Sequence, residues 1–322
     1  MRGVPITSGR RGNPTPQRRT ERTLSESNVS QGGDWDLITP YSIGVERLIE
    51  MKNPYKLLVV DIDGTLLNSR GTISEEDTRA IDEARKSGIY VALSTGRAAI
   101  ASRWVMDHLK LDGYHIFFDG ALVYNPEKDH EVYAESIDGA LACEAIDFAR
   151  ENKINCDLYT SSHYYIEQDS WAVDIRRTFF RINPTFRNLD DVCRQERIIK
   201  GTVIVRAPEE KSIAHEFQEK FRGKLSFSWT MTPAYPDVDF INVVSPKVSK
   251  GKALEELCAF YRVPLSQVVA IGDGANDLSL LKMAGLAVAM GNSVDELKSI
   301  ADVITEDVDH NGVAEIIKRF LV

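Results

Sequence analysis

Residues 59–67 read VVDIDGTLL and place two carboxylates, Asp61 and Asp63, directly after an apolar run. The run at 56–60 is typical of a buried strand in a parallel sheet. Residues two apart in an extended segment point to the same side, so both carboxylates can face one site. Gly64 allows the chain to turn away sharply. We therefore expect a functional site at the carboxyl edge of a sheet, where open α/β folds bind ligands.

Two other interpretations of this stretch are possible. Calcium-binding loops also begin with Asp-x-Asp, but they require glycine at the sixth position and glutamate at the twelfth. Leu66 and Thr72 stand at those positions, which excludes such a loop. A plain surface turn is the second alternative, and the apolar strand directly before the carboxylates favours a functional site over it.

The segments around this stretch alternate between strand and helix patterns. A near capping box at 74–77 starts a helix that runs to about Ser87. A strand at 89–93, a helix at about 98–109 and a strand at 115–118 follow. The alternation returns after residue 244, with helices at 253–261 and 278–284 and strands at 267–271 and 286–290. Strand–helix–strand units predict a parallel sheet, and hence an α/β fold with a Rossmann-like core formed by 54–126 and 244–322.

Residues 127–243 show a different, mixed pattern. Helices are predicted at about 140–152, 170–180 and 209–222, and strands at 157–160, 164–168, 198–206, 225–231 and 239–244. This order predicts a separate α+β domain inserted into the first. Residues 1–53 are rich in Gly, Pro, Ser, Thr and Arg with few apolar side chains, and we expect them to be a disordered extension.

Composition narrows the possible functions. The 322 residues carry a net charge of −9, which argues against general nucleic-acid binding. The four cysteines form no C-x-x-C pair, so no zinc spacing is visible, and the pattern predicts a cytoplasmic protein with reduced thiols. No apolar run approaches the roughly 18 residues that span a bilayer, so no membrane partner is expected.

Three further polar groups stand at predicted strand ends or helix starts. Ser94-Thr95-Gly96-Arg97 suits a phosphate oxygen, although Thr95 could instead be an ordinary helix cap. Lys250 begins a helix, where its charge is unfavourable unless an anion binds nearby, and an exposed surface lysine is the alternative. GDGAND at 272–277 offers hard oxygen ligands for a magnesium ion, or forms a solvated polar turn.

Together and in this order, the four groups resemble the motifs of the haloacid dehalogenase (HAD) superfamily, and most closely its Cof-type hydrolases. The resemblance covers about residues 54–322. The Asp-x-Asp-Gly-Thr-Leu and Gly-Asp-Gly-x-Asn-Asp strings are highly specific, whereas the threonine and lysine gain meaning from their order. The insertion at 127–243 lies where that subclass carries its α+β cap, which we expect to close over the site and select substrates.

The resemblance implies a phosphatase that forms an aspartyl phosphate from small phosphorylated metabolites, such as sugar phosphates or phosphorylated cofactors. Asp61 would attack phosphorus, and Asp63 would protonate the leaving oxygen and then activate water. Thr95 and Lys250 would hold the transferring phosphoryl group. The resemblance also assigns phosphate contacts to Gly96, Arg97 and Asn276. It assigns Mg²⁺ to Asp61, the backbone carbonyl of Asp63 and Asp273, with Asp277 supporting the metal site or Lys250.

One position departs from the Cof-type pattern. Members usually carry Asn-Gly-Ala after the third strand, whereas this chain has Asp119-Gly120-Ala121. An acid thus replaces an amide near the expected substrate. Two other functions stay open at this point: a phosphomutase with the same nucleophile, and a catalytically silent protein that binds a phosphometabolite.

Overall fold

The computed structural model describes residues 53–68, 70–178, 182–232 and 235–322. The extension expected at 1–53 therefore lies outside the described residues, apart from Asn53. The side-chain amide of Asn53 donates a hydrogen bond to the carbonyl oxygen of Leu321 at 2.6 Å.

In the described residues, most of the predicted strands and helices are present, with boundaries that differ by a few residues. The strands are β1 (Leu57–Val60), β2 (Tyr90–Leu93), β3 (His115–Phe117), β4 (Leu122–Asn125), β5 (His130–Ala134), β6 (Asn155–Tyr159), β7 (Tyr164–Ile166), β8 (Thr185–Phe186), β9 (Lys200–Val205), β10 (Ser226–Thr232), β11 (Tyr235–Val244), β12 (Val268–Gly272), β13 (Leu286–Ala289) and β14 (Val303–Ile304). The helices are α1 (Glu75–Lys86), α2 (Ala99–Leu109), α3 (Gly139–Glu151), α4 (Trp171–Thr178), α5 (Leu189–Gln195), α6 (Pro208–Lys220), α7 (Lys250–Tyr261), α8 (Leu278–Leu281), α9 (Asp295–Lys298) and α10 (Gly312–Phe320). Among these helices, none has both the length and the apolar composition needed to cross a membrane.

A parallel sheet with the strand order β14-β13-β12-β1-β2 forms the centre of the core. Its strand β1 is fully buried because each face is covered. Leu58 and Val60 belong to the apolar cluster of α1, α2 and α10. Leu57 and Val59 belong to the cluster of α7 and α8 on the other face. Burial on both faces explains why this strand is a continuous apolar run. The predicted α/β fold with a parallel core sheet is confirmed.

The strand predicted at 115–118 forms β3, but it continues into an antiparallel sheet, β3-β4-β5. A bridge between Ser94 and Ile116 connects β3 to the end of β2. The sequence pattern predicts neither β4 nor β5. Val132 and Tyr133 of β5 pack against the cluster of α7 and α8. The strands that pack on the core thus continue past residue 127. We propose that the inserted domain begins after Ala134.

The inserted region, described at 135–178, 182–232 and 235–243, is built on a sheet with the order β10-β11-β9-β6-β7-β8. Its neighbours are antiparallel except β7 and β8, which are parallel. Helices α3, α5 and α6 cover one face with an apolar cluster. On the other face, Tyr159 and Tyr164 join the apolar cluster of the core. This contact places that face of the sheet against the core.

His115 on β3 is a buried base with one satisfied ring nitrogen. Its Nδ1 accepts a hydrogen bond from the N–H of Leu93 at 3.1 Å, whereas Nε2 is buried with no hydrogen-bond partner in the described part of the chain. Burial lowers the pKa of His115 to about 4. The folded state therefore disfavours the proton that the unfolded chain binds near pH 6.5.

We expect the free energy of unfolding to fall as the pH drops from about 6.5 towards 4, because protonation of His115 favours the unfolded chain. Full protonation of His115 should lower the free energy of unfolding by about 3 kcal/mol, because a pKa difference of one corresponds to roughly 1.4 kcal/mol. Urea unfolding at about pH 7 and pH 4.5 measures it. His115→Asn keeps an acceptor for Leu93, and this variant should lose about 2 kcal/mol less than wild type over the same range. Equal losses in both proteins would show that His115 is not the titrating group.

Candidate active site

The loops that follow β1, β2 and β12 converge at the carboxyl edge of the parallel sheet. Strand β1 lies between the other two, and their pairing continues past the strand ends. The N–H of Asp61 donates to the carbonyl of Ile271 at 3.0 Å, and the N–H of Ser94 donates to that of Val60 at 2.9 Å. The start of α7 brings Lys250 to the same edge. The four predicted groups are therefore neighbours in space.

Lys250 is the centre of a buried hydrogen-bond network. Its ammonium donates to Asp61 Oδ1 and Asp277 Oδ1, each at 2.6 Å, and to the carbonyl of Ser94 at 3.2 Å. Three donors thus meet three acceptors. Lys250 is 1% exposed and Asp61 5% exposed, so the alternative of a surface lysine is wrong.

The charges of this network depend on one another. Burial lowers the pKa of Lys250, but the adjacent carboxylates of Asp277 and Asp61 outweigh burial and raise it well above its ordinary value. Lys250 is therefore a cation at neutral pH. Burial raises the pKa of Asp61, and the Lys250 ammonium opposes that rise. The ammonium thus favours the ionised, nucleophilic form of Asp61.

Both carboxylate oxygens of Asp277 have donors. Oδ1 accepts from Lys250, and Oδ2 accepts from the N–H groups of Asp273 and Gly274, each at 3.1 Å. Asp277 therefore holds the loop after β12 and the ammonium of Lys250 in one arrangement. Asp277 is fully buried and bound to Lys250, which contradicts the alternative of a solvated polar turn.

Three carboxylates of the site offer oxygens suited to a hard cation. One oxygen each from Asp61, Asp273 and Asp277 lie within 4.8 Å of one another. Asp273 Oδ1 also accepts from the hydroxyl of Thr65 at 3.2 Å, and burial followed by repulsion from Asp277 raises the pKa of Asp273 to about 6. Asp277 accepts three hydrogen bonds at 2.6–3.1 Å, whereas those to Asp273 are longer, at 3.2 and 3.5 Å, so Asp61 and Asp273 fit direct ligation of Mg²⁺ better.

Gly64 allows the loops after β1 and β12 to approach closely. Its φ is +84°, and a Cβ at this position would lie 2.3 Å from Asp273 Oδ2. Any larger residue would therefore displace the Asp273 carboxylate. The Gly64 carbonyl accepts a hydrogen bond from Asn292 Nδ2 at 2.8 Å.

Asp63 and Arg97 form an ion pair with two hydrogen bonds. Arg97 Nε donates to Oδ2 of Asp63 at 2.8 Å and Nη2 donates to Oδ1 at 2.5 Å. The Asp63 side chain is 57% exposed. The predicted acid–base residue and a predicted phosphate contact are therefore bound to each other in this structure.

Thr95 and Gly96 lie on the loop after β2. The Thr95 hydroxyl accepts from the N–H of Arg97 at 3.1 Å, and the side chain is buried. The N-cap of α2 is Ala98, which has no side-chain cap bond. Thr95 is therefore not the cap of this helix, and that alternative is wrong.

The turn that carries Asp119 has an unusual backbone. Phe118, Asp119 and Gly120 have φ values of +54°, +57° and +100°. Non-glycine residues in this region cost about 1–2 kcal/mol each, and such strain clusters at functional sites. The turn presents Asp119 Oδ1 to the side-chain amide of Asn276 at 2.8 Å. The acid at 119 thus binds an amide of the loop after β12.

Asn292 is a site residue that the motifs of the sequence do not indicate. Besides Gly64, its side-chain amide approaches Asp273 Oδ2 at 3.5 Å, and its Oδ1 accepts from the N–H of Val308 at 3.0 Å. It lies on the loop after β13, three residues past the strand end. A polar residue just past the fourth parallel strand was the signal available in the sequence.

Comparison with known proteins gives consistent matches along the whole fold. A profile of the haloacid dehalogenase-like hydrolase family matches residues 58–317. The phosphatase YwpJ of Bacillus subtilis is 30% identical over 285 residues, which cover 83% of this chain and 100% of YwpJ. The 5-amino-6-(5-phospho-D-ribitylamino)uracil phosphatase YitU of the same species is 28% identical over 272 residues, covering 83% of this chain and 97% of YitU. The crystal structure of a haloacid dehalogenase-like hydrolase from Bacteroides thetaiotaomicron has a TM-score of 0.71 and 27% identity, covering 82% of this chain and 99% of that one.

The fold combines a parallel sheet with an inserted region, and carboxylates form an acidic site at the edge of that sheet. These features define an α/β enzyme. The chain belongs to the haloacid dehalogenase-like hydrolase family, and the resemblance drawn from its motifs is confirmed. The names of the relatives support the predicted enzyme class, a phosphoric monoester hydrolase.

Proposed function

We propose that this protein is a Mg²⁺-dependent phosphatase that hydrolyses small phosphorylated metabolites through an aspartyl phosphate on Asp61. The observation that carries the proposal is the buried bond between Asp61 and Lys250, beside Asp273 and Asp277. A carboxylate nucleophile needs nearby positive charge, because the phosphate that it attacks is an anion. The site supplies that charge through Lys250.

The proposed reaction has two steps. A carboxylate oxygen of Asp61 forms a bond to phosphorus while the bond to the leaving oxygen breaks, and Asp63 gives that oxygen a proton. Water then attacks phosphorus, Asp63 takes a proton from it, and the bond to Asp61 breaks, which releases phosphate. Thr95 holds a phosphoryl oxygen, and Lys250 holds another by exchanging one of its three present hydrogen bonds. A bound Mg²⁺, held by Asp61, the Asp63 carbonyl and Asp273, would neutralise part of the phosphoryl charge.

The structure sets a condition on the other predicted phosphate contacts. Asp63 binds Nε and Nη2 of Arg97, and Asp119 accepts one hydrogen bond from the Asn276 amide. Either residue would contact phosphate through its remaining N–H donors or by exchanging these bonds when substrate binds. Gly96 offers its backbone N–H. A cytoplasmic location stays a prediction that rests on cysteine usage.

Phosphate release from p-nitrophenyl phosphate with Mg²⁺ tests the proposal. A panel of sugar phosphates and phosphorylated cofactors then defines the substrate class, and it includes 5-amino-6-(5-phospho-D-ribitylamino)uracil, which YitU is named for. Release of inorganic phosphate supports a phosphatase. Transfer of the phosphoryl group between substrate positions would identify a phosphomutase, and binding without turnover would identify a silent binding protein.

Lys250→Met should lower kcat/KM by about 10²- to 10³-fold, the usual effect of removing a donor that stabilises transition-state charge. Methionine fills similar space without the charge, and it leaves Asp61 and Asp277 without their shared cation. Steady-state kinetics of phosphate release measures the effect. Lys252→Met is the matched control, because Lys252 is an exposed lysine on the same helix. Activity of Lys250→Met within about threefold of this control would argue against the role of Lys250.

A further inference from the structure

Lys200 is a buried lysine that crosses from the inserted region to the core. It is the first residue of β9, and its ammonium donates a hydrogen bond to the carbonyl of Gly96 at 3.1 Å. The ammonium also lies 5.7 Å from the centre of the Phe118 ring. The side chain is only 7% exposed. Lys200 therefore reaches the loop after β2 that carries Thr95 and Arg97.

The ammonium of Lys200 is incompletely paired. A lysine has three donors, and within the described residues the bond to Gly96 is the one hydrogen bond that the Lys200 ammonium makes. The charged groups that face it are Asp119 on the turn after β3, Asp157 on β6 and Arg176 on α4. Asp157 is already bound by Arg176, with 3.1 Å between Oδ2 and Nη2.

Asp119 lies close to Lys200 but also binds elsewhere. Its carboxylate accepts from Asn276, and both carboxylate oxygens would lie 2.9 Å from a Cβ placed on Gly96. Burial lowers the pKa of Lys200 to about 8, with the Asp119 charge opposing that shift. A buried cation with few partners is unfavourable, and an anion that arrives next to it removes much of that cost.

The position of this cation matches the proposed phosphate site. Gly96 is the residue after Thr95, which we assign to the phosphoryl group, and Lys250 binds the carbonyl of Ser94 one residue before Thr95. Two buried lysines thus bind the carbonyl groups on either side of Thr95. Lys250 belongs to the core and Lys200 to the inserted region.

We propose that Lys200 is a further substrate-contacting residue, whose ammonium binds the phosphate group of the substrate while the inserted region lies against the core. The proposal rests on the proposed phosphatase function. It gives the inserted region a direct part in holding the phosphate group common to all candidate substrates. It also makes the phosphate affinity depend on the protonation of Lys200, because a neutral amine cannot provide the charge.

Binding of inorganic phosphate in the presence of Mg²⁺, measured by isothermal titration calorimetry at about pH 7 and about pH 9.5, tests the proposal. Lys200→Met should weaken phosphate binding by about 10- to 100-fold at the lower pH, the usual effect of a hydrogen bond to a charged group. Lys200→Arg stays charged at both pH values and should keep most of the affinity. Lys220→Met is the control, because Lys220 is exposed on α6, which covers the opposite face of the sheet.

The pH dependence separates contact with phosphate from a purely structural role. With a pKa of about 8, wild type should lose about tenfold more affinity between the two pH values than either Lys200→Arg or Lys200→Met. Parallel pH profiles in wild type and Lys200→Arg would overturn the proposal, and so would wild-type affinity in Lys200→Met. If Lys200→Met does not fold, the comparison of wild type with Lys200→Arg is sufficient. Absence of any phosphatase activity in wild type would instead count against the proposed function.

Discussion

Asp61→Asn is expected to lower kcat by about 10⁴-fold or more, because the amide has nearly the shape of the carboxylate but cannot attack phosphorus. The fold should survive the change. The introduced amide would still present an oxygen to the ammonium of Lys250, which keeps Asp277 and Ser94 as further acceptors. Without Mg²⁺, which Asp61 is proposed to hold, loss of the buried negative charge should leave phosphate binding unchanged or tighter, since Asp61 repels the phosphate anion.

Single-turnover and steady-state rates of phosphate release measure this effect, with circular dichroism and thermal unfolding to verify the fold. Asp295→Asn is the matched control, because Asp295 is an exposed aspartate in the short helix α9. A variant that loses turnover, keeps its melting temperature and still binds inorganic phosphate supports the nucleophile. Hydrolysis by Asp61→Asn within about tenfold of the control would rule out a covalent intermediate on this residue.

Removal of divalent metal should lower activity by at least about 10³-fold, and Mg²⁺ should restore it. Asp61 and Asp273 contribute oxygens to one small cluster, and without a cation their charges oppose the approach of a phosphate anion. Ca²⁺ should restore activity poorly, because its longer and looser coordination would misplace the carboxylates.

A chelator titration of the aryl phosphatase activity measures the requirement. Calorimetric binding of Mg²⁺ gives a readout that does not depend on turnover. Asp273→Asn should weaken Mg²⁺ binding by about tenfold or more, whereas Asp295→Asn should not change it. Full activity in excess chelator would refute the assignment of a metal to Asp61, Asp63 and Asp273.

The local chemistry of the site follows from short stretches of sequence. A buried strand followed by Asp-x-Asp places two carboxylates at a sheet edge, and three further polar groups follow other strands or start a helix. Because parallel strands end at a common edge, the sequence alone predicts the convergence of these groups. Lys250 illustrates what the sequence does not show, which is the partners of a side chain. Its position at a helix start was visible, but its contacts with Asp61 and Asp277 join residues 189 and 27 positions apart.

The amino-acid sequence was sufficient for the α/β class and for the polar groups that meet at the sheet edge, because strand periodicity and strand-end motifs are local properties. The tertiary structure alone showed the partners of those groups. Arg97 binds Asp63, Asp119 binds Asn276 across 157 positions, and Lys200 reaches Gly96 across 104. It also showed that β4 and β5 pair with each other and extend the core past residue 127. Such contacts depend on the packing of one element against another, and no pattern within a single segment encodes that packing.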